Sequence, residues 1–145
     1  MVPDASFAVA LLVPEIFSQA ALNLWQHVLD DDVEMVAPTL LRYEVCSALY
    51  RKSLSKKIAP DDALAALALF NQLDIVYLDP ADLPTRAIEL AELFHRPNTY
   101  DSFYLALAER LDCPFWTADE RLFNAVSPGF KLIHWLGQPG KTSPP

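Results

Sequence analysis

A chain of 145 residues and 16.2 kDa fits one domain, and a domain of that size buries about 68 to 70% of the surface its unfolded chain would expose, so its core needs no covalent staple. With 52% hydrophobic residues, 3 Gly and 12 Pro it is not a disordered or low-complexity chain, and Cys46 and Cys113, far apart and in no metal-ligand or CxxC spacing, read as reduced thiols. The net charge of −8 and the pI near 4.7 exclude a protein that wraps nucleic acid with a basic body.

The N-terminus has no basic stretch before its apolar run, and the longest apolar segments, such as 7–14, are shorter than the ~20 residues needed to cross a bilayer. A soluble, cytoplasmic protein is the expectation. Taken in chain order, a brief strand should end at Asp4, with helices over 7–12 and 19–29 after it. The run Asp30-Asp31-Asp32 then reads as a solvated turn before a strand over 33–37. The next helix, 39–54, begins a segment in which Arg42, Arg51, Lys52, Lys56 and Lys57 supply five of the 11 basic residues. A locally basic helix on an acidic body can still hold a phosphate backbone.

Pro60 followed by Asp61 and Asp62 puts proline and acids in the first turn of a helix over 60–73. A strand over 75–78 and a helix over 83–94 follow, and Asn98 with Asp101 resembles a capping arrangement ahead of a helix over 100–111. The chain ends with a strand over 114–118, a short helix after Asp119, a strand over 131–134, and a Gly, Pro and Ser-rich tail over 137–145 expected to be flexible. This alternation predicts one α/β domain over residues 1–136, with about five mostly parallel strands flanked by helices. No internal repeat, Gly-rich phosphate loop or GxSxG setting is present, and His27, His95 and His134 have no ligand spacing.

Among 19 acids, four have a distinctive context. Asp4 ends the first strand at the carboxyl edge of the sheet, where open α/β folds place ligands, with Ser6 beside it. Capping of the following helix by Asp4 or Ser6 is an equal account of those two residues. Asp119 closes the strand of Trp116, Thr117 and Ala118 in the same way, again delivering an acid and a hydroxyl to that edge. On the helical wheel of 39–54, Glu44 lies at the edge of the apolar stripe of Leu41, Val45 and Ala48. A partly desolvated carboxylate there calls for a cation: either a neighbouring base, with Arg51 two turns on, or a metal. Asp101, in the first turn of its helix, is favoured by the helix dipole whatever its function, but only Asp112 and Cys113 separate that helix from the strand leading to Asp119. Four carboxylates at one edge repel unless a divalent ion holds them, and oxygen-only donors favour Mg²⁺ or Mn²⁺ over zinc.

These segments resemble a known family, the PIN domain, and within it the small VapC toxins of bacterial and archaeal toxin-antitoxin pairs. The resemblance is carried by Val2-Pro3-Asp4-Ala5-Ser6, by Pro38-Thr39-Leu40-Leu41-Arg42-Tyr43-Glu44-Val45, by the YDSFYLALAE stretch that starts at Tyr100, and by Thr117-Ala118-Asp119-Glu120-Arg121-Leu122. It implies a Rossmann-like parallel sheet, a homodimer, RNA cleavage and inhibition by a cognate antitoxin. It also implies that Asp4, Glu44, Asp101 and Asp119 are the catalytic, metal-binding acids, with Ser6 and Thr117 as polar neighbours. From the helical wheel, Arg51 and its basic neighbours are the expected grip on the substrate backbone. Two positions depart from the pattern: Pro3 stands where the family has an apolar strand residue, and Arg121 where some members carry another acid. The rival functions are a PIN-like protein-binding module without catalysis and a metal-dependent phosphohydrolase of small metabolites. The latter commonly needs a second acid two residues after the first, where this chain has Ser6.

Overall fold

The computed structural model describes residues 1–138. Its elements alternate as expected: β1 (Val2–Pro3), α1 (Ala5–Leu12), α2 (Ser18–Asp30), β2 (Met35–Ala37), α3 (Leu40–Leu54), α4 (Pro60–Phe70), β3 (Ile75–Tyr77), α5 (Leu83–Leu93), α6 (Tyr100–Leu111), β4 (Phe115–Thr117), α7 (Glu120–Val126) and β5 (Ile133–Trp135). The tail predicted over 137–145 lies outside the described residues from 139 onward.

All recorded strand pairs are parallel, in one ladder of order β1-β4-β5 and a second of β2 with β3. The two ladders meet along β1 and β2, where the Val36 N–H donates to the Met1 carbonyl at 2.9 Å and the Met1 ammonium to the Glu34 carbonyl at 2.7 Å. The strands therefore run 3-2-1-4-5. Pro3 explains why the seam is not a full ladder. Val2 and Asp4 point their N–H groups at β4, bonding to the Pro114 and Trp116 carbonyls, so the nitrogen of residue 3 faces β2. Proline has no proton to give there, and the second bond of a Val2–Val36 bridge is missing.

The sheet is short because helices make most of the core. α6 is buried at Ser102 and from Tyr104 through Ala108, nearly all round, as a central helix must be. α3 presents only Leu41, Val45 and Leu49, an i, i+4, i+8 stripe. Asp112 adopts the left-handed conformation at the end of α6, with φ 47°, and reverses the chain into β4 within two residues. Two strand expectations shift: the segment 131–134 pairs one or more residues later, as β5, and 33–37 pairs only from Met35.

Trp116, in the middle strand of the β1-β4-β5 ladder, is 1% exposed and stacks on His134 at 4.9 Å. Trp116→Ala is expected to cost about 3–5 kcal/mol, the range for emptying a large aromatic site. A urea midpoint that barely moves would mean the core does not depend on this strand.

Candidate active site

Each of the four acids sits where a strand or helix hands the chain to the same edge of the sheet. Asp4 follows β1 and is the N-cap of α1, its Oδ1 accepting the Phe7 N–H at 2.8 Å and the Ser6 hydroxyl at 2.7 Å. Capping and placement at the sheet edge are thus one arrangement, not alternatives. Asp119 follows β4 and caps α7, accepting from the Arg121 and Leu122 N–H groups through Oδ1. Glu44 comes from the second turn of α3 and Asp101 from the first turn of α6.

Side chains of Asp4, Glu44, Asp101 and Asp119 line one cavity of about 590 Å³, together with Ser6, Arg51, Lys52 and Tyr104. Thr117 lies fully buried behind that wall, with its hydroxyl 3.1 Å from the Ser6 hydroxyl and accepting the Asp119 N–H at 2.9 Å. Ser6 also accepts the Ala118 N–H at 2.7 Å. The two hydroxyls therefore stitch the end of β4 to the start of α1 and hold Asp4 and Asp119 on facing sides of one junction.

Asp4 is 7% exposed, and burial pushes its carboxyl up to about 6 despite the hydrogen bonds of Thr117, Phe7 and Ser6; the charge of Asp101 adds to the rise. Glu44 is also raised, first by burial and then by Asp101, against the opposing pull of Tyr104 and Arg51. Among the described residues neither Asp4, Glu44 nor Asp119 has a Lys or Arg within ion-pair distance. Asp101 does: Arg96 binds its Oδ2 at 2.8 Å. This replaces the expected capping arrangement, since Asn98 instead accepts the Tyr100 N–H at 3.1 Å and the N-cap is Thr99 without a side-chain bond.

Two participants are not evident from the wheel or the motifs. Tyr104, one turn after Asp101 and 1% exposed, donates its hydroxyl to Glu44 Oε2 at 2.5 Å, and its ring stacks on Phe115 at 6.1 Å. Arg96 is the second; Lys52, one of the bases expected to hold a phosphate, instead pairs with Glu15 at the cavity wall. Of the five clustered bases only Arg51 and Lys52 reach this cavity; Arg42 lies over the Tyr77 ring, 4.9 Å from its centroid.

The donor set suits a hard divalent cation: oxygen only, partly desolvated, and with the Asp4 carboxyl raised above its ordinary value by burial and by the charge of Asp101. Among the described residues no three His, Cys, Asp or Glu side chains are already gathered at the spacing of one ion's ligands, so the acids form a loose ring around a cavity.

Comparison with known proteins agrees with this architecture. Residues 1–127 match the model of the PIN domain. Ribonuclease VapC1 of Mycobacterium tuberculosis, from strain CDC 1551 / Oshkosh and from strain ATCC 25618 / H37Rv, is 43% identical over 95 residues, which are 64% of this chain and 67% of the relative. The crystal structure of Mycobacterium tuberculosis VapC20, described as a sarcin-ricin loop cleaving toxin, superposes with a TM-score of 0.62 over 89% of this chain and 95% of that one; at 18% identity the likeness is one of fold. With four acids from separated segments around one cavity and a family match that spans most of its length, this chain belongs to the PIN-domain family.

Proposed function

We propose that this protein is a divalent-metal-dependent endoribonuclease of the VapC type, the toxin of a toxin-antitoxin pair. The observation that carries the proposal is the arrival of four acids from four separated segments at one cavity, three of them without an ion-pair partner among the described residues. The family match and the 43% identity to a ribonuclease support the same chemistry.

Asp4, Glu44, Asp101 and Asp119 would hold Mg²⁺ or Mn²⁺, which when bound activates a water and offsets charge on the phosphoryl oxygens. The chain's own work is to aim these carboxylates. Ser6 and the Phe7 N–H fix Asp4, Tyr104 fixes Glu44, Arg96 fixes one oxygen of Asp101, and the first N–H groups of α7 fix Asp119. In each case the outer partner leaves carboxylate lone pairs for the cavity, which is how such partners orient ligands. Arg51, on the same face of α3 as Glu44 and bonded at 3.0 Å to Ser47, is placed to meet a backbone phosphate.

As a VapC-type toxin the chain would form a homodimer and be restrained by a cognate antitoxin in the cytoplasm. No helix of the described residues is long and apolar enough to cross a membrane. α4 leaves Leu64 and Leu69 exposed.

The test is direct. Purified protein should cut single-stranded RNA with Mn²⁺ or Mg²⁺ and not with EDTA, and Asp101→Asn should slow the cut about a hundredfold or more with its unfolding transition intact. A fold kept only for protein binding would show no metal-dependent cleavage, and that result would remove the nuclease proposal.

A further inference from the structure

A second cavity, of about 410 Å³, opens beside the first and shares Ser6, Glu15 and Lys52 with it. Its other walls are Pro14, Ile16, Phe17, Ile58, Ala118 and Lys57. One side is therefore apolar and the other carries the Lys57 ammonium and the Lys52–Glu15 ion pair. We propose that this cavity is a subsite for one nucleotide flanking the scissile phosphate, with the base on Ile16, Phe17 and Ile58 and its phosphate at Lys57. The inference rests on the ribonuclease function proposed above and adds where the strand leaves the acids.

Ile16 is 92% exposed, the most exposed of the large apolar residues in the described chain. A flexible loop would fold such a side chain away, but this turn is pinned: Ser18 accepts the Glu15 N–H at 2.8 Å and donates to the Val13 carbonyl at 2.9 Å, and its N–H bonds to the Glu15 carbonyl at 3.2 Å. The turn holds the isoleucine out in water. Phe17 is equally fixed, its ring edge-on to Trp135 at 5.6 Å. A rigid apolar platform next to a phosphate-binding wall suits a base, because every base has an apolar face and an attached anion.

Charge distribution selects RNA as the occupant. Among the described residues Arg86, Arg96 and Arg110 are bound into ion pairs with Glu89 and Glu109, with Asp101, and with Asp82. Arg51, which lines the first cavity, and Lys57, which lines the second, have no ion pair among the described residues, and Lys52, common to both, pairs with Glu15. On a chain of net charge −8, two bases without an ion pair among the described residues thus flank the path of a strand reaching the acids. Backbone phosphates are the complementary ligand.

The experiment measures binding of a fluorescent single-stranded RNA 12-mer of mixed sequence to Asp4→Asn protein in EDTA, by anisotropy at several salt concentrations. Lys57→Glu added to that background is expected to weaken binding about tenfold at low salt and to flatten the log–log salt slope by about one. Ile16→Ser is expected to weaken it about fivefold with the slope unchanged, as loss of a base contact should. Lys131→Glu, the same charge change two residues before β5 and at the opposite end of the strands, is expected to leave both unchanged. Equal effects of Lys57→Glu and Lys131→Glu would reduce the finding to bulk charge and overturn the subsite. Unchanged affinity in Lys57→Glu and Ile16→Ser would overturn it too, and would leave the platform to a protein partner. Metal-dependent cleavage by the wild-type protein is read separately, so the subsite can fail while the nuclease stands.

Discussion

Asp4→Asn is expected to slow RNA cleavage about a thousandfold or more and, in EDTA at pH 7.5, to unfold at a higher temperature than the wild type. The two effects have one cause. Burial pushes the Asp4 carboxyl up to about 6 in the fold from its ordinary 3.8, so the native state favours its neutral form. Its contribution to stability is fully present below about pH 3.8, is lost as pH rises through about 6, and stays lost above that. At pH 7.5 the buried charge costs up to about 3 kcal/mol, and a neutral amide avoids the cost while its oxygen still accepts from Ser6 and Phe7. The advantage should be several degrees at pH 7.5 and vanish near pH 4. Thermal scans of both proteins at the two pH values decide it; a variant less stable than wild type at pH 7.5 would mean the Asp4 charge is already compensated. Such a trade of stability for activity is expected where a group must be ready for a partner it lacks when the protein is alone.

Binding of Mn²⁺ should show the same linkage from the other side. A cation needs ionised ligands, so it competes with the proton that Asp4 holds below about pH 6. Apparent affinity is expected to rise about tenfold per pH unit up to that point and then to level off. Glu44, also raised by burial and by Asp101, steepens the low-pH arm. Isothermal titration between pH 5 and 8 reads the slope directly. At a hundredfold excess over its dissociation constant the ion should add about 2.7 kcal/mol of stability, which a thermal scan reads independently. Affinity independent of pH across this range would place the ion away from Asp4. Tyr104→Phe offers a finer version: loss of the hydroxyl that holds Glu44 is expected to weaken Mn²⁺ binding about tenfold, with the ring still stacked on Phe115 and the fold kept.

Much of this protein is legible in its residue order because the signals are local. The alternation of short apolar runs with longer helical ones, Pro60 with its two acids, and the two strands that each end in Asp predict the elements to within a few residues. Asp4 and Asp119 could be placed at one edge because parallel strands deliver their C-terminal residues to the same side. Glu44 stood out because its wheel position is wrong for a solvated acid.

Packing decided the rest. Nothing within 100–111 distinguishes Tyr104 from an ordinary core aromatic; its hydroxyl matters only because α3 brings Glu44, 60 positions away, to meet it. Arg96 reads as a solvated base until the turn before α6 carries it to Asp101, and Lys52 reads as free until the segment after α1 brings Glu15 to it. Patterning by itself determined the order of strands and helices and which acids end them, since backbone periodicity and capping act over a few residues. The tertiary structure alone decided which bases are neutralised and which remain free, because charge pairing depends on distances that only the folded chain sets.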